Sequence, residues 1–333
     1  MTSPKPIIDR EKGVIYLTER QRTEQLIKPI LRGRDIKRYS YEWAGLWIIN
    51  THNGYTTSDS SLTQSLQELQ QNASVITDKV TPSHFASQPT NLTQDTRIAK
   101  DIESSRCETS AGSRGNPQAT SKIKIPPIDI NDYPALKAHF DEVAQRDIPK
   151  SDKKKGFYDR TDKGTTPYNL RNCAYLEEFE KEKIVYSEIV KEPQFYLDNG
   201  EFKFGSFYAE ATSFILSGNE NFKHSLHYLL GILHSKLITY AFKEFYAGGG
   251  LGESGYRYKK AFLERLPIPK VDSKTEVEFI QIVQEILEKK ILEKKKVDST
   301  IDTPTLESKL DNLVYQLYNL SDDEIELIES MGG

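Results

Sequence analysis

The sequence has few cysteines and no segment suited to a membrane. Only Cys107 and Cys173 occur among its 333 residues, too few for a disulfide framework or a four-cysteine zinc ribbon. No apolar run approaches the roughly 20 residues of a membrane-spanning helix, and no signal-peptide pattern follows Met1. We therefore predict a cytoplasmic protein in a reducing compartment.

Tyrosine and tryptophan are missing from one long stretch, between Tyr55 and Tyr133. Within 56–96, Ser, Thr, Asn and Gln occupy 23 of 41 positions. Such a segment cannot bury enough apolar surface to offset the entropy lost on ordering. We predict that 56–122 is a low-complexity, disordered insertion in a surface loop.

The chain has no overall excess of basic residues, which taken alone argues against a nucleic-acid-binding protein. The formal net charge is −4, but 273–333 holds 14 acidic and 7 basic residues, or −7. The rest of the chain therefore carries +3, and the distribution of charge matters more than its sum.

The most informative stretch runs from Leu226 to Val271. Leucines spaced three and four residues apart predict a buried helix that begins after an N-cap at Ser225 and continues to Ala247. A glycine-rich loop ends at Gly255, and the basic and aromatic residues 256–260 follow it. This combination predicts a surface suited to a polyanion.

Two other segments concentrate basic residues. Residues 31–39 place four basic side chains around Gly33, and 150–171 hold 7 basic against 3 acidic residues. Both segments are compatible with plain solvated loops. The alternative is contact with phosphate, since the arginine guanidinium matches phosphate oxygens.

The remaining patterns predict an α+β fold. Val14 to Leu17 and Leu46 to Asn50 read as strands, the second of them buried, and Thr23 to Ile30 as a short helix. The Asn199-Gly200 pair predicts a hairpin that joins strands at 195–197 and 201–204. The tail shows capping boxes at Ser273 and Ser321, and leucines 306, 310, 313, 317 and 320 that form a helical seam.

We accordingly predict a mixed-sheet domain with embedded helices, interrupted by the polar insertion and followed by a C-terminal helical bundle. The boundaries are 1–55 and 123–270 for the mixed-sheet domain, 56–122 for the insertion and 271–333 for the helical segment. The leucine seam is explained most simply by packing within the chain, with docking to a partner domain as the alternative.

Several shorter motifs have weak support. Residues 250–255 match G-x-G-x-x-G, but they follow a predicted helix, whereas a dinucleotide-binding loop follows a strand. Glu201 and Lys203, with Asp198 upstream, lack the separated carboxylate pair of a two-metal nuclease. The three histidines 224, 227 and 234 have no acidic or thiol residue beside them in sequence, and Cys173 reads as a buried thiol.

Four segments, taken in order, resemble a known family. They are LIKPILRGRDIKRY (26–39), RTDKGTTPYNLRNCAYLEEFEKEKIVYSEI (160–189), the block 226–269 and LESKLDNLVYQLYNLSDDEIELIE (306–329). Together they are similar to the C-terminal specificity region of TaqI-like adenine-N6 DNA methyltransferases, which include the fused type IIG restriction-modification enzymes. The polar stretch 56–122 departs from that pattern.

The resemblance implies a target-recognition domain for duplex DNA. The DNA-binding candidates are then Arg32, Arg34, Lys37, Arg38, Lys163, Tyr168, Arg171, Tyr256, Arg257, Tyr258, Lys259 and Lys260. The family's catalysis needs an Asn/Asp-Pro-Pro-aromatic tetrapeptide and a Phe-x-Gly-x-Gly loop, and neither occurs in the sequence. We assign no catalytic, cofactor-binding or metal-binding residue here, and we expect S-adenosylmethionine to bind a missing or partner catalytic domain.

The expected partners are double-stranded DNA and a methyltransferase or endonuclease domain or subunit. Three origins of such a chain remain open: a fragment, a split subunit or a truncated gene. The alternative function is a protein-interaction subunit that docks a separate methyltransferase through its acidic, leucine-rich tail and binds no DNA alone.

Overall fold

A computed structural model of the protein describes residues 5–9, 13–57, 123–146, 156–219, 221–247, 250–252, 255–294 and 303–331. The predicted insertion lies outside these residues from position 58 to 122. Among the helices of the described ranges, none is both long and apolar enough to cross a membrane.

The strands, in chain order, are β1 (Lys5–Asp9), β2 (Gly13–Leu17), β3 (Ile27–Leu31), β4 (Ile36–Lys37), β5 (Ser40–Tyr41), β6 (Trp47–Ile49), β7 (Tyr55–Thr57), β8 (Ile123–Ile125), β9 (Lys183–Ser187), β10 (Ile189–Val190), β11 (Phe195–Asp198), β12 (Tyr208–Ala209), β13 (Ser213–Ser217) and β14 (Tyr256–Arg257). The helices are α1 (Glu19–Leu26), α2 (Pro134–Arg146), α3 (Leu226–His234), α4 (Lys236–Ala241), α5 (Lys260–Leu263), α6 (Ser273–Lys294), α7 (Thr303–Leu317) and α8 (Asp322–Met331). This mixture of short sheets and helices confirms the predicted α+β class.

The chain divides into two compact units, and each is described separately. The first consists of Met1–Ile27 and Ile49–Leu176, and the second of Lys28–Ile48 and Glu177–Gly333. Within the second unit, the C-terminal helices share a core with the 226–242 region. The domain boundaries expected from sequence stay a prediction.

The first unit has a small core and paired strands. Leu26, Ile130 and Leu136 are its buried apolar residues. Strands β7 and β8 are antiparallel, with Thr57 opposite Ile123, so the two ends of the predicted insertion lie side by side.

The structure tests one strand prediction and one helix prediction near the start of the chain. The strand expected at 14–17 is confirmed as β2, but the helix expected over 23–30 begins at Glu19 and ends at Leu26. The chain then continues as β3, because Pro29 has no N–H for a helix and Ile27 and Ile30 are β-branched.

The second unit is built on two three-stranded sheets, in the orders β11-β9-β13 and β12-β3-β6. The central strand β9 is buried along its whole length. Strand β6 confirms the predicted strand, but Trp47 is 42% exposed, so the prediction that this strand is buried was wrong.

The hairpin predicted around Asn199-Gly200 was wrong in its second strand. Gly200 has the expected positive φ of 79°, but 201–204 form turns and β11 pairs with β9. The buried carboxylate of Asp198 explains this, because it accepts hydrogen bonds from the N–H of Gly200 (3.2 Å) and of Phe207 (2.8 Å) and pairs with Lys183. The chain therefore bends back instead of extending.

The long helix expected from Ser225 to Ala247 is three shorter pieces. Ser225 caps α3 as predicted, accepting a hydrogen bond from His227 N (3.0 Å). The helix ends at His234, and the Ser235 hydroxyl caps α4 through Ile238 N (3.2 Å). A single π-helical turn at 242–246 follows α4.

Tail helix α6 packs on α3, α7 packs on α6 and α4, and α8 packs on α4. Leu306 and Leu310, the first residues of the predicted seam, are 3% and 1% exposed within this core. The seam is therefore filled from within the chain. The capping box at Ser321 is confirmed, but Glu276 accepts hydrogen bonds from Ser225 N and His224 instead of closing a box with Ser273.

Candidate nucleic-acid interface

The first cationic segment forms a tight turn between β3 and β4. Gly33–Asp35 make one 3-10 turn, and the Asp35 carboxylate accepts hydrogen bonds from Arg32 Nε (2.9 Å) and Nη2 (2.7 Å). Burial alone would raise the pKa of Asp35, but the hydrogen bonds from Arg32 hold it below its ordinary value. Arg32 therefore shapes the turn, and its guanidinium is occupied.

Arg34 occupies the exposed side of the same turn. Its side chain makes no hydrogen bond or ion pair with any residue of the described ranges. Lys37 Nζ donates to Arg34 O (3.0 Å) and lies 3.6 Å from a Glu42 carboxylate oxygen. Both cations face solvent in part, so either can accept an anionic ligand.

Arg38 is held inside the second unit. Its guanidinium donates to both Glu307 carboxylate oxygens, to Oε1 at 3.2 Å and to Oε2 at 2.9 Å, and lies 2.9 Å from His234 Nδ1. His234 Nε2 is 2.9 Å from Phe195 O and must donate to it, so Nδ1 is left to accept from Arg38. Burial lowers the pKa of His234 well below its ordinary value, which keeps the ring neutral. Arg38 thus anchors β4 to α7.

The segment after the glycine-rich loop continues into β14, which pairs with β10. Tyr258 is 3% exposed and stacks on Phe242, with ring centroids 4.2 Å apart. Burial raises the pKa of Tyr258, so its hydroxyl stays protonated. This side chain belongs to the core, whereas Tyr256 is half-buried with Lys243 Nζ 5.7 Å from its ring centroid.

The remaining residues of this segment face outward. The Arg257 side chain is 40% exposed and its Nε lies 3.6 Å from a Glu188 carboxylate oxygen. Lys259 and Lys260 are exposed at the start of α5. At 3.6 Å this pair is too long for a hydrogen bond, so a phosphate can compete with the carboxylate.

The turn at 33–35 and strand β14 lie close together in the second unit. Gly33 N donates to Thr212 Oγ1 (2.9 Å), and a Cβ at Gly33 would lie 2.5 Å from Thr212 O, so only glycine fits. Glu188 N donates to Thr212 O (3.2 Å), and Tyr258 N donates to Glu188 O (2.7 Å). The turn and the strand thus meet around Glu188 and Thr212.

We call the outward-facing cations of these two segments the basic rim. The rim consists of Arg34, Lys37, Arg257, Lys259 and Lys260.

The three other predicted residues lie in the first unit, in a loop that is folded on itself. Lys163 Nζ donates to Tyr158 O (2.6 Å), and Tyr168 OH donates to Asp141 (2.8 Å). The hydrogen bond to Asp141 raises the pKa of Tyr168. Arg171 is exposed and makes no hydrogen bond or ion pair with the residues that the structure covers.

The comparison with protein families identifies the middle of this chain. Residues 145–268 match the TaqI-like C-terminal specificity domain. The match confirms the resemblance stated from sequence, and it indicates DNA-target specificity of a restriction-modification type enzyme. No curated protein matches the chain.

The matched range contains Arg257, Lys259 and Lys260 of the basic rim, together with Lys163, Tyr168 and Arg171. Arg34 and Lys37 lie outside the matched range, but their turn contacts Thr212. The structure therefore places cations from inside and outside the matched range in one neighbourhood.

The three histidines do not form a metal site in the described ranges. Within those ranges, no group of three or more His, Cys, Asp or Glu side chains is placed to hold a metal ion. Of the three histidines, His224 bonds Glu276 at 3.0 Å, and His234 is buried against Arg38. Cys173 is half-buried rather than buried.

Sequence reasoning missed one exposed feature of the second unit, a cluster of aromatic rings contributed by Trp43, Trp47 and Phe204. The available signal was the repetition of aromatic residues at short spacing in two glycine-containing segments, at 43–47 and 202–205.

Proposed function

We propose that this chain is the DNA-recognition part of a type IIG-like adenine-N6 methyltransferase system, with catalysis supplied by another domain or subunit. The observation that carries the proposal is the basic rim, which borders the matched specificity domain and presents cations that are free or only loosely paired.

The physical basis is phosphate neutralisation. Duplex DNA is a dense line of negative charge, and each phosphate contact by Lys or Arg releases condensed counterions. Arg34, Lys259 and Lys260 have no carboxylate partner among the described residues, so they bind phosphate without first breaking an ion pair. Arg34 and Arg257 also have the donor geometry for the O6 and N7 atoms of guanine.

The described residues do not fit S-adenosylmethionine. The glycine-containing stretch 250–255 lies between a π-helical turn and β14, the reverse of the strand-loop-helix order in which helix N–H groups face a nucleotide-like cofactor. We accordingly place the methyl donor and the catalytic tetrapeptide in a partner methyltransferase domain or chain.

The decisive experiment is the salt dependence of duplex binding. Affinity of the full chain for a labelled random duplex is measured between about 50 and 200 mM salt, and log K should fall by about 0.9 per log unit of salt for each phosphate contacted. The triple change Arg34→Gln, Lys259→Gln and Lys260→Gln should weaken binding and reduce the slope by up to about 2.7, which is three times 0.9.

A matched control variant removes the same number of positive charges. Lys223→Gln, Lys274→Gln and Lys309→Gln remove three exposed cations that lie in the second unit but not in the basic rim. This variant should bind as the unchanged protein does. The proposal would be overturned if the affinity for duplex DNA did not change with salt, or if both triple variants lost the same amount of affinity.

A further inference from the structure

Two surface turns of the second unit bring five apolar side chains together. We call this set the aromatic patch; it consists of Trp43, Leu46, Trp47, Phe202 and Phe204. Ring centroids are 5.0 Å apart for Trp43 and Trp47 and 4.8 Å apart for Trp47 and Phe204. Leu46, Trp47 and Phe204 remain 40%, 42% and 45% exposed.

The patch is held firmly in position. Trp43 Nε1 donates to Leu46 O (3.0 Å), which closes the first turn. Phe202 stacks on the buried Phe207 at 4.6 Å, which fixes the second turn to the core. The rings are therefore exposed because the fold presents them, and contiguous exposed apolar surface of this kind marks a binding site.

Cations lie beside the rings. Lys203 Nζ is 4.6 Å from the Phe204 ring centroid. Glu42 N donates to Asp35 O (2.7 Å), so the first turn of the patch adjoins the turn that carries Arg34 and Lys37. Three basic residues, Arg34, Lys37 and Lys203, stand against the acidic Glu42 and Glu201, a local balance of +1.

Aromatic faces next to cations complement a nucleic acid better than they complement an apolar protein surface. Bases stack on such rings irrespective of sequence, while cations neutralise the phosphates between them. In a closed duplex the base faces are covered by neighbouring bases, so stacking is available only to a base that is unpaired or extruded.

We propose that the aromatic patch binds nucleobases that stand outside the duplex stack, so that the protein prefers DNA with an unpaired base to fully paired DNA. This rests on the proposed function, and it adds a local structure of the DNA to what the recognition domain senses.

The chain offers a direct reporter, because its 2 tryptophans, Trp43 and Trp47, both belong to the patch. Tryptophan emission of the full chain is measured during titration with three DNAs: a paired duplex, the same duplex with one bulged thymine, and a 12-residue oligothymidylate. Anisotropy of a label on each DNA gives binding independently. The bulged and single-stranded DNAs should quench emission and bind more tightly than the paired duplex.

Removing the exposed rings tests the assignment. Trp47→Ala with Phe204→Ala should weaken binding of bulged DNA by at least about fivefold, and leave binding of paired duplex within about twofold. Trp47→Phe, which keeps a ring, should retain the preference. Phe245→Ala, at a 70% exposed ring outside the patch, is the matched control and should change neither affinity. Emission of the remaining Trp43 checks that the double variant is folded.

The outcomes separate this inference from the proposed function. Two results would overturn the inference and leave the proposed function standing, provided that duplex binding depends on salt. One is that bulged DNA does not quench the tryptophan emission. The other is that the double variant binds bulged DNA as tightly as the unchanged protein does. No binding of any DNA would remove both. Self-association of the unchanged chain that the double variant abolishes, without any response to DNA, would assign the patch to contacts between protein molecules and overturn the inference.

Discussion

The buried ion pair between Lys183 and Asp198 is the sharpest test of how the second unit is held together. Both side chains are fully buried, with Nζ 2.6 Å from Oδ2, and Lys183 also donates to Phe179 O (2.6 Å). Lys183→Met would leave the Asp198 carboxylate buried with only backbone N–H donors, those of Gly200 and Phe207. Breaking a buried pair on one side costs about 3–5 kcal/mol.

The measurement is urea unfolding followed by tryptophan emission, which reports the second unit because Trp43 and Trp47 both lie in it. With an m-value of about 2 kcal/mol/M, a loss of 4 kcal/mol lowers the unfolding midpoint by about 2 M. Since Asp198 organises the turn that carries Phe204, the variant should also lose any preference for bulged DNA.

Two further variants make the reasoning refutable. Adding Asp198→Asn to Lys183→Met removes the stranded charge, so the double variant should be more stable than the single one. Lys181→Met, which breaks an exposed pair with Glu178, should cost less than about 1 kcal/mol. A cost below 1 kcal/mol for Lys183→Met, or a double variant less stable than the single, would show that the buried pair does not hold this turn.

Two other predictions concern the backbone and pH. Gly255→Ala should destabilise the second unit by more than about 2 kcal/mol, because the φ of Gly255 is +94° and the new Cβ would lie 2.3 Å from Val190 O. Gly252→Ala should cost only about 1 kcal/mol, because the φ of Gly252 is +62° and its new Cβ would meet open space. Equal urea midpoints for the two variants would contradict this prediction. Burial raises the pKa of Asp311 to about 6, above its unfolded value of 3.8, so its contribution to stability is full below 3.8 and is lost as the pH rises through 6. Between pH 7.5 and 5.0 this should add about 1 kcal/mol to the unchanged protein relative to Asp311→Asn. The lowered pKa of His234 makes its contribution to stability fall as the pH falls, but His234 is present in both proteins and its effect cancels. If the difference in unfolding free energy between the unchanged protein and Asp311→Asn is the same at both pH values, the assignment to Asp311 is refuted.

Local patterns were the part of the fold that sequence could supply. The N-cap at Ser225, the capping box at Ser321 and strand β2 depend on residues within a few positions of one another. The predictions that failed depended on distant partners. The strand expected at 201–204 is bent by Asp198, whose buried partner Lys183 comes from another strand. Trp47 is 42% exposed, and the spacing of residues 46–50 does not show which face of the sheet is covered.

The same limit applies to the candidate site. A run of basic residues shows that charge is present but not what neutralises it, and the partner of Arg38 is Glu307, 269 positions away. Spacing alone also could not separate Tyr258, which packs in the core, from Tyr256, two positions earlier and half-buried.

The acidic tail consequently has a role that net charge concealed. Some of its carboxylates form ion pairs inside the second unit, where Glu307 pairs with Arg38 and Glu329 with Lys236. The excess positive charge calculated for the rest of the chain therefore overstates what is available to DNA. Within the proposed interface, the accessible cations are those of the basic rim, where each is exposed or faces a carboxylate at 3.6 Å. A binding surface with so few unpaired cations gives modest non-specific affinity and a shallow salt slope. Discrimination between sequences would then depend on contacts with base edges, for which Arg34 and Arg257 carry the hydrogen-bond donors.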